Sequence, residues 1–312
     1  MTKKLTTNGL SRAQLRGHVI VPLLTPFTST GEIDETAVAR ILNHIVAGGC
    51  QGIMVAGTTG EFASMSIRMR LRLMEHAVSA ARERLLIFGG IGDTSPAHSI
   101  ELGREFLRLG AHAVVGNLPS YYPLTPEMME RYFVHVAEAV GGPLYLYNIP
   151  QTTKQSIPFE VIESLSHHPL IAGIKDSEPD AARQETLARQ YAGRPDFAVF
   201  CGSIAFTSKA VRAGADGCIP GAGNFAPAEL RNLMIQLASC DPAAGDAAQQ
   251  RVDAINATYQ KGRTISQIFI ALKAIMEIYG LCSRNVLPPL LRANDAEVSQ
   301  IRQALRGAGL IP

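Results

Sequence analysis

Eight short apolar runs, each followed by a longer segment of helical period, constrain this chain more than any other feature. The runs extend from Val19 to Leu24, Gly52 to Ala56, Leu85 to Gly89, Ala113 to Gly116, Leu144 to Tyr147, Ile171 to Lys175, Ala198 to Cys201 and Gly217 to Ile219. Regular alternation of strand-type and helix-type segments is the mark of βα units and a parallel sheet. Eight units in about 220 residues favour a closed barrel, because a doubly wound sheet uses fewer strands and places a glycine-rich nucleotide turn after the first. Here that turn is Thr25-Pro26-Phe27. Helix starts are legible too. Asp34 can cap a helix whose Val38, Ile41, Leu42 and Ile45 recur at helical spacing before Gly48-Gly49. Ser66, Ser95-Pro96, Thr125-Pro126 and Ile157-Pro158 open the next ones.

Beyond Cys240 the strand signal stops, and three helical patterns follow near 244–260, 264–280 and 294–306, interrupted by Leu287-Pro288-Pro289. The expected architecture is α/β, a (β/α)₈ TIM barrel over residues 17–237 with a C-terminal helical extension over 238–312. No Pro-, Gly- or Ser-rich linker separates the two, so the extension is expected to pack on the barrel.

Charge bounds the partners. The 29 Lys and Arg nearly balance the 27 Asp and Glu, with no basic stripe of the kind nucleic acid requires. The first twenty residues mix Lys3, Lys4, Arg12 and Arg16 with polar residues, which supports neither a signal peptide nor a membrane span and leads to an expectation of a cytoplasmic protein. Five widely spaced cysteines read as free thiols. His167-His168 beside Pro169 reads as a loop, and no Cys or His pair has zinc-ligand spacing, so neither a metal nor a cofactor is expected.

The active site of such a barrel lies at the carboxyl ends of its strands. Lys175 ends the run Leu170-Ile171-Ala172-Gly173-Ile174, and Tyr147 ends Pro143-Leu144-Tyr145-Leu146. Gly57-Thr58-Thr59-Gly60-Glu61 follows the second strand, Tyr121-Tyr122 the fourth and Gly202 the seventh, and Ile219 ends the eighth. Taken alone, Lys175 reads more simply as a strand-end lysine that snorkels to water; the company of a phenol and hydroxyls at other strand ends reverses that. A Schiff-base reaction needs an amine that is neutral part of the time, a proton relay and donors for a 2-oxo acid carboxylate. Lys175 suits the first role and Tyr147 with Thr58 the second. The backbone amides of Thr58 and Thr59, in a glycine-flanked turn, suit the third as an anion nest.

Gly57-Thr58-Thr59-Gly60-Glu61, Tyr147-Asn148-Ile149-Pro150 and Gly173-Ile174-Lys175 together resemble the dihydrodipicolinate synthase and N-acetylneuraminate lyase superfamily, over about residues 17 to 290. The resemblance implies that Lys175 is the Schiff-base lysine, that Tyr147 relays protons and contacts the substrate carboxylate, and that Thr58 belongs to the same relay. It implies that Tyr122 reaches across a subunit interface to complete the neighbour's relay, and a homotetramer built as a dimer of dimers.

Departures from the family pattern bear on the substrate. Where dihydrodipicolinate synthases place an arginine two residues beyond the proline, to hold the second substrate's carboxylate, this chain has Thr152, followed by Thr153 and Lys154. Gly202-Ser203-Ile204 lacks the acidic residue often found in sugar-acid lyases. The expected activity is making or breaking a carbon-carbon bond in pyruvate or a 2-oxo acid, with a 2-keto-3-deoxy sugar acid as the partner class. The alternatives are a dehydratase for such an acid, a dihydrodipicolinate synthase, and a non-catalytic 2-oxo-acid binding protein. Three features receive plainer readings. Gly89-Gly90-Ile91-Gly92-Asp93 is a tight βα turn rather than a nucleotide loop, Asp176 and Glu178 are expected to cap the following helix, and the apolar stripes of the C-terminal helices are core or subunit contacts.

Overall fold

The computed structural model describes residues 12–312; Lys3 and Lys4, and with them part of the reading of the chain's start, lie outside the described residues. The apolar runs form β1 (His18–Pro22), β2 (Gly52–Val55), β3 (Leu86–Gly90), β4 (Ala113–Asn117), β5 (Leu144–Asn148), β6 (Ile171–Asp176), β7 (Ala198–Cys201) and β8 (Gly217–Cys218). They run in chain order around a closed barrel, which is the (β/α)₈ architecture expected from the sequence. Helix starts follow their caps: Asp34 accepts from the Ala37 amide, Ser66 from Met69 and Thr125 from Met128. Among the described residues no helix is long and apolar enough to cross a membrane.

The chain divides into two compact units. One comprises residues 12–18 with Leu86–Ile219. Its parallel strands are in register through Val115, Tyr145, Gly173 and Ala198, and one layer further on through Asn117, Tyr147, Lys175 and Phe200. Phe88, Tyr145 and Phe200 meet with ring centroids 5.3, 6.1 and 6.4 Å apart. They come from strands that are not neighbours, so these contacts run across the interior and fix which face of each strand points inward. Gly173 makes this packing possible. A Cβ there would lie 2.7 Å from the Tyr145 ring and 2.2 Å from the Ala198 carbonyl oxygen. At the other end of this unit Arg12 donates to both carboxylate oxygens of the buried Asp216, each at 2.8 Å, and Asp216 also accepts from the Val199 amide.

The second unit comprises Val19–Leu85 and Pro220–Pro312. It contains β1, β2 and the helices Pro242–Gln260, Ile265–Ile278 and Asp295–Gly307. The Asn224 side chain bridges the Leu24 amide and the Pro22 carbonyl. Phe225 packs on Tyr259 in the first of those helices and on Tyr279 just after the second, centroids 5.8 and 5.9 Å away. The second of those helices is also bound to the segment after β1, where the buried Lys273 donates to the Thr25 carbonyl.

Candidate active site

Alternation along a strand sends Lys175 and Asp176 to opposite faces of β6. Lys175 shares the inward face with Tyr147, its register partner on β5. Both are 4% exposed, and the Lys175 Nζ lies 4.0 Å from the centroid of the Tyr147 ring. The structure thus joins the two residues singled out as amine and phenol. The Cys201 thiol on β7 is held inert, since burial pushes it up to about 12.

The outward face corrects one expectation. Neither Asp176 nor Glu178 caps the following helix; Asp180 does, accepting from the amides of Ala182 and Arg183. The fully buried Asp176 carboxylate accepts from Asn148 Nδ2, Arg183 Nε, Gln184 Nε2 and the Glu178 amide, all at 2.9 Å. Burial pushes this carboxyl up and the Arg183 guanidinium opposes it. Glu178 completes the cluster, accepting from Asn148 Nδ2 at 2.9 Å and Ser156 at 2.5 Å. These groups tie β5 and β6 to the helix Ala181–Tyr191.

Gly202 follows β7 and donates to the Asp176 carbonyl at 2.7 Å. A Cβ there would lie 2.9 Å from the Asp176 carbonyl oxygen and would also displace the Ser177 hydroxyl. Ile219 falls just beyond β8 rather than at its end, buried, with its amide bonded to the Cys201 carbonyl. Thr152 lies half-buried in the short helix Pro150–Thr153, donating to Ile149. Lys154 is exposed and donates to the Gln151 carbonyl at 3.0 Å.

Tyr121 and Tyr122 lie in the loop between β4 and the helix Pro126–Val140. They are 77% and 70% exposed, their rings edge to face at 5.1 Å. Sequence reasoning overlooked Gln155, whose amide group accepts from Leu124 N and donates to the carbonyls of Pro119 and Tyr122, bracketing that loop.

In the second unit, Thr58 and Thr59 open a 3₁₀ turn, Thr58–Gly60, two residues beyond β2, and both are half-buried. The bonds of the turn itself engage the amides of Gly60 and Glu61. Glu61 is buried with a left-handed backbone and pairs with Lys273 at 2.9 Å. Lys273 was also overlooked. A lone lysine within Phe269-Ile270-Ala271-Leu272-Lys273-Ala274-Ile275-Met276 was the available signal.

A parallel barrel with a buried lysine beside a tyrosine at its strand ends has the groups that a lyase or aldolase of the lysine-imine type uses. Residues 15–308 match the Dihydrodipicolinate synthetase family, and the chain belongs to it. It is 31% identical to a 4-hydroxy-tetrahydrodipicolinate synthase of Laribacter hongkongensis, over 94% of this chain and 98% of that one. It is 27% identical to a probable 2-dehydro-3-deoxy-D-pentonate aldolase of Escherichia coli K12, over 94% and 98%. A prophage protein of the dihydrodipicolinic acid synthase family from E. coli K12, solved in complex with pyruvate, superposes with a TM-score of 0.89 at 27% identity, covering 94% of this chain and 99% of that one. The protein is accordingly an aldolase or lyase of this family.

Proposed function

We propose that Lys175 forms an imine with pyruvate or another 2-oxo acid, and that the enzyme then makes or breaks a carbon-carbon bond in a 2-keto-3-deoxy sugar acid. The observation that carries this reading is the buried Lys175 amine 4.0 Å from the Tyr147 ring on the inward strand face. The amine attacks the ketone carbon, the carbinolamine loses water, and the protonated imine acts as the electron sink for the bond α,β to it. Tyr147 moves protons in these steps, and Thr58 has the relay role that the resemblance implies. The highly exposed Tyr122 is taken to complete the relay of a second copy within a tetramer. The relatives supply precedents, one structure with pyruvate and one probable pentonate aldolase.

The test is incubation with a panel of 2-oxo acids and borohydride, followed by intact mass. One adduct per chain with pyruvate is expected; no adduct with any 2-oxo acid removes the reading. Tyr147→Phe is expected to stay folded and to lose at least about a hundredfold in turnover, the scale of general acid-base catalysis. Near-normal turnover in steady-state assays would take Tyr147 out of the mechanism.

Thr152 argues for a partner without a charged tail. A threonine hydroxyl cannot give the bidentate, charged grip that arginine gives a carboxylate. Losing such a bond costs roughly 1.5 to 3 kcal/mol, or about one to two decades in specificity. Condensation of pyruvate with aspartate semialdehyde is therefore expected to be slower than cleavage of 2-keto-3-deoxy acids, and Thr152→Arg is expected to narrow the gap. Comparison of kcat/KM for both reactions in both proteins decides. Faster condensation by the wild type, lost when Lys154 is neutralised, would assign the anchor to Lys154 instead.

A further inference from the structure

Two non-glycine residues with left-handed backbones bracket the Thr58–Gly60 turn, Ala56 at φ 54° and Glu61 at φ 60°. Such conformations persist where the surroundings over-determine them, and they cluster at functional sites. For Glu61 those surroundings are visible. Its Oε2 accepts from the Leu287 amide at 3.0 Å, and its Oε1 lies 2.9 Å from the Lys273 ammonium. Lys273, 1% exposed, is held in turn by the carbonyls of Thr25 at 2.5 Å and Asn285 at 2.7 Å and by the Phe27 ring, whose centroid is 4.3 Å away. Thr25 also donates its hydroxyl to the Gly60 carbonyl at 2.7 Å, so one ammonium reaches the turn by two routes.

Burial lowers the pKa of Lys273, with Glu61 opposing that shift. A buried ion pair is a poor source of net stability, since an apolar pair of similar volume often does as well. What the pair supplies here is a fixed conformation. We infer that Lys273 is a positioning residue for catalysis: through Glu61 and Thr25 it holds the Thr58–Gly60 turn in the shape that presents Thr58 and Thr59 to the carboxylate of a 2-oxo acid. The carboxylate part rests on the proposed imine chemistry; the control of the turn does not.

The experiment compares the wild type with Lys273→Met and with the double variant Glu61→Gln/Lys273→Met, which leaves no unpaired charge and so keeps a folded protein available should the single variant fail to fold. Amide hydrogen exchange is read peptide by peptide, alongside KM and kcat for a cleaved 2-keto-3-deoxy acid and borohydride trapping of pyruvate. In both variants, exchange in the peptide spanning 57–64 is expected to rise about tenfold relative to the rest of the chain. KM and the pyruvate concentration needed for half-trapping are expected to rise by about tenfold or more, the loss of one good hydrogen bond, with kcat changing far less. Wild-type exchange and KM in a folded variant would overturn the inference. So would a uniform rise in exchange with kcat and KM lost together, or failure of both variants to fold, since Lys273 would then be an ordinary core residue. If the wild type traps no 2-oxo acid, the imine reading fails on its own and the exchange measurement alone decides whether Lys273 governs the turn.

Discussion

Lys175→Ala is expected to abolish borohydride trapping of pyruvate and to lower turnover by about 10⁴-fold or more, the scale of removing a covalent nucleophile. The adduct requires a carbon-nitrogen bond to a primary amine, which attacks the ketone, expels water and is reduced to a stable secondary amine. Three other lysines among the described residues are poorly placed for this. Lys154 is exposed and bonded to its own turn, Lys209 is exposed on the short helix Thr207–Arg212, and Lys273 is committed to Glu61. Lys175 alone among these four sits at a strand end beside a tyrosine on the inward face. Peptide mapping of the wild-type adduct checks the assignment. An adduct on Lys154 or Lys209, or undiminished trapping in a folded Lys175→Ala protein, would place the nucleophile elsewhere.

Asp176→Ala is expected to have the largest effect on stability, a loss of about 3 to 5 kcal/mol, because it leaves the buried Arg183 without its nearest carboxylate. Asn148 Nδ2 and Gln184 Nε2 lose an acceptor at the same time. Denaturant unfolding measures the loss. The trapping reaction should survive in the molecules that remain folded, since Asp176 faces the helix Ala181–Tyr191 and Lys175 faces the interior. Loss of trapping in a protein of normal stability would make Asp176 a chemical group and would reverse this assignment.

The fold was legible because it depends on a repeated local pattern. Each βα unit announces itself through a short apolar run and a cap, as Asp34, Ser66 and Thr125 illustrate. Strand ends were less sharp, and Asn148 and Asp176 extend β5 and β6 by one residue beyond the apolar runs. The reason is that backbone pairing continues through a polar residue when its side chain finds partners, as both of these do.

Lys175 and Tyr147 could be found in the sequence because each ends an apolar run, and a strand end in such a barrel is an address that one-dimensional spacing encodes. Other assignments depended on contacts between residues remote in the chain. Asp176 as a buried hub rather than a cap follows from the face it takes and from side-chain donors on β5 and on the helix Ala181–Tyr191. Lys273 meets Glu61 across more than two hundred positions, and no periodicity in either segment foretells that meeting. The sequence by itself determined the succession of strands and helices and the residues at the strand ends, because those follow from local hydrophobic period and capping. Tertiary structure alone decided which buried charges pair, because the free energy of a buried charge is set by the partner brought to it in space.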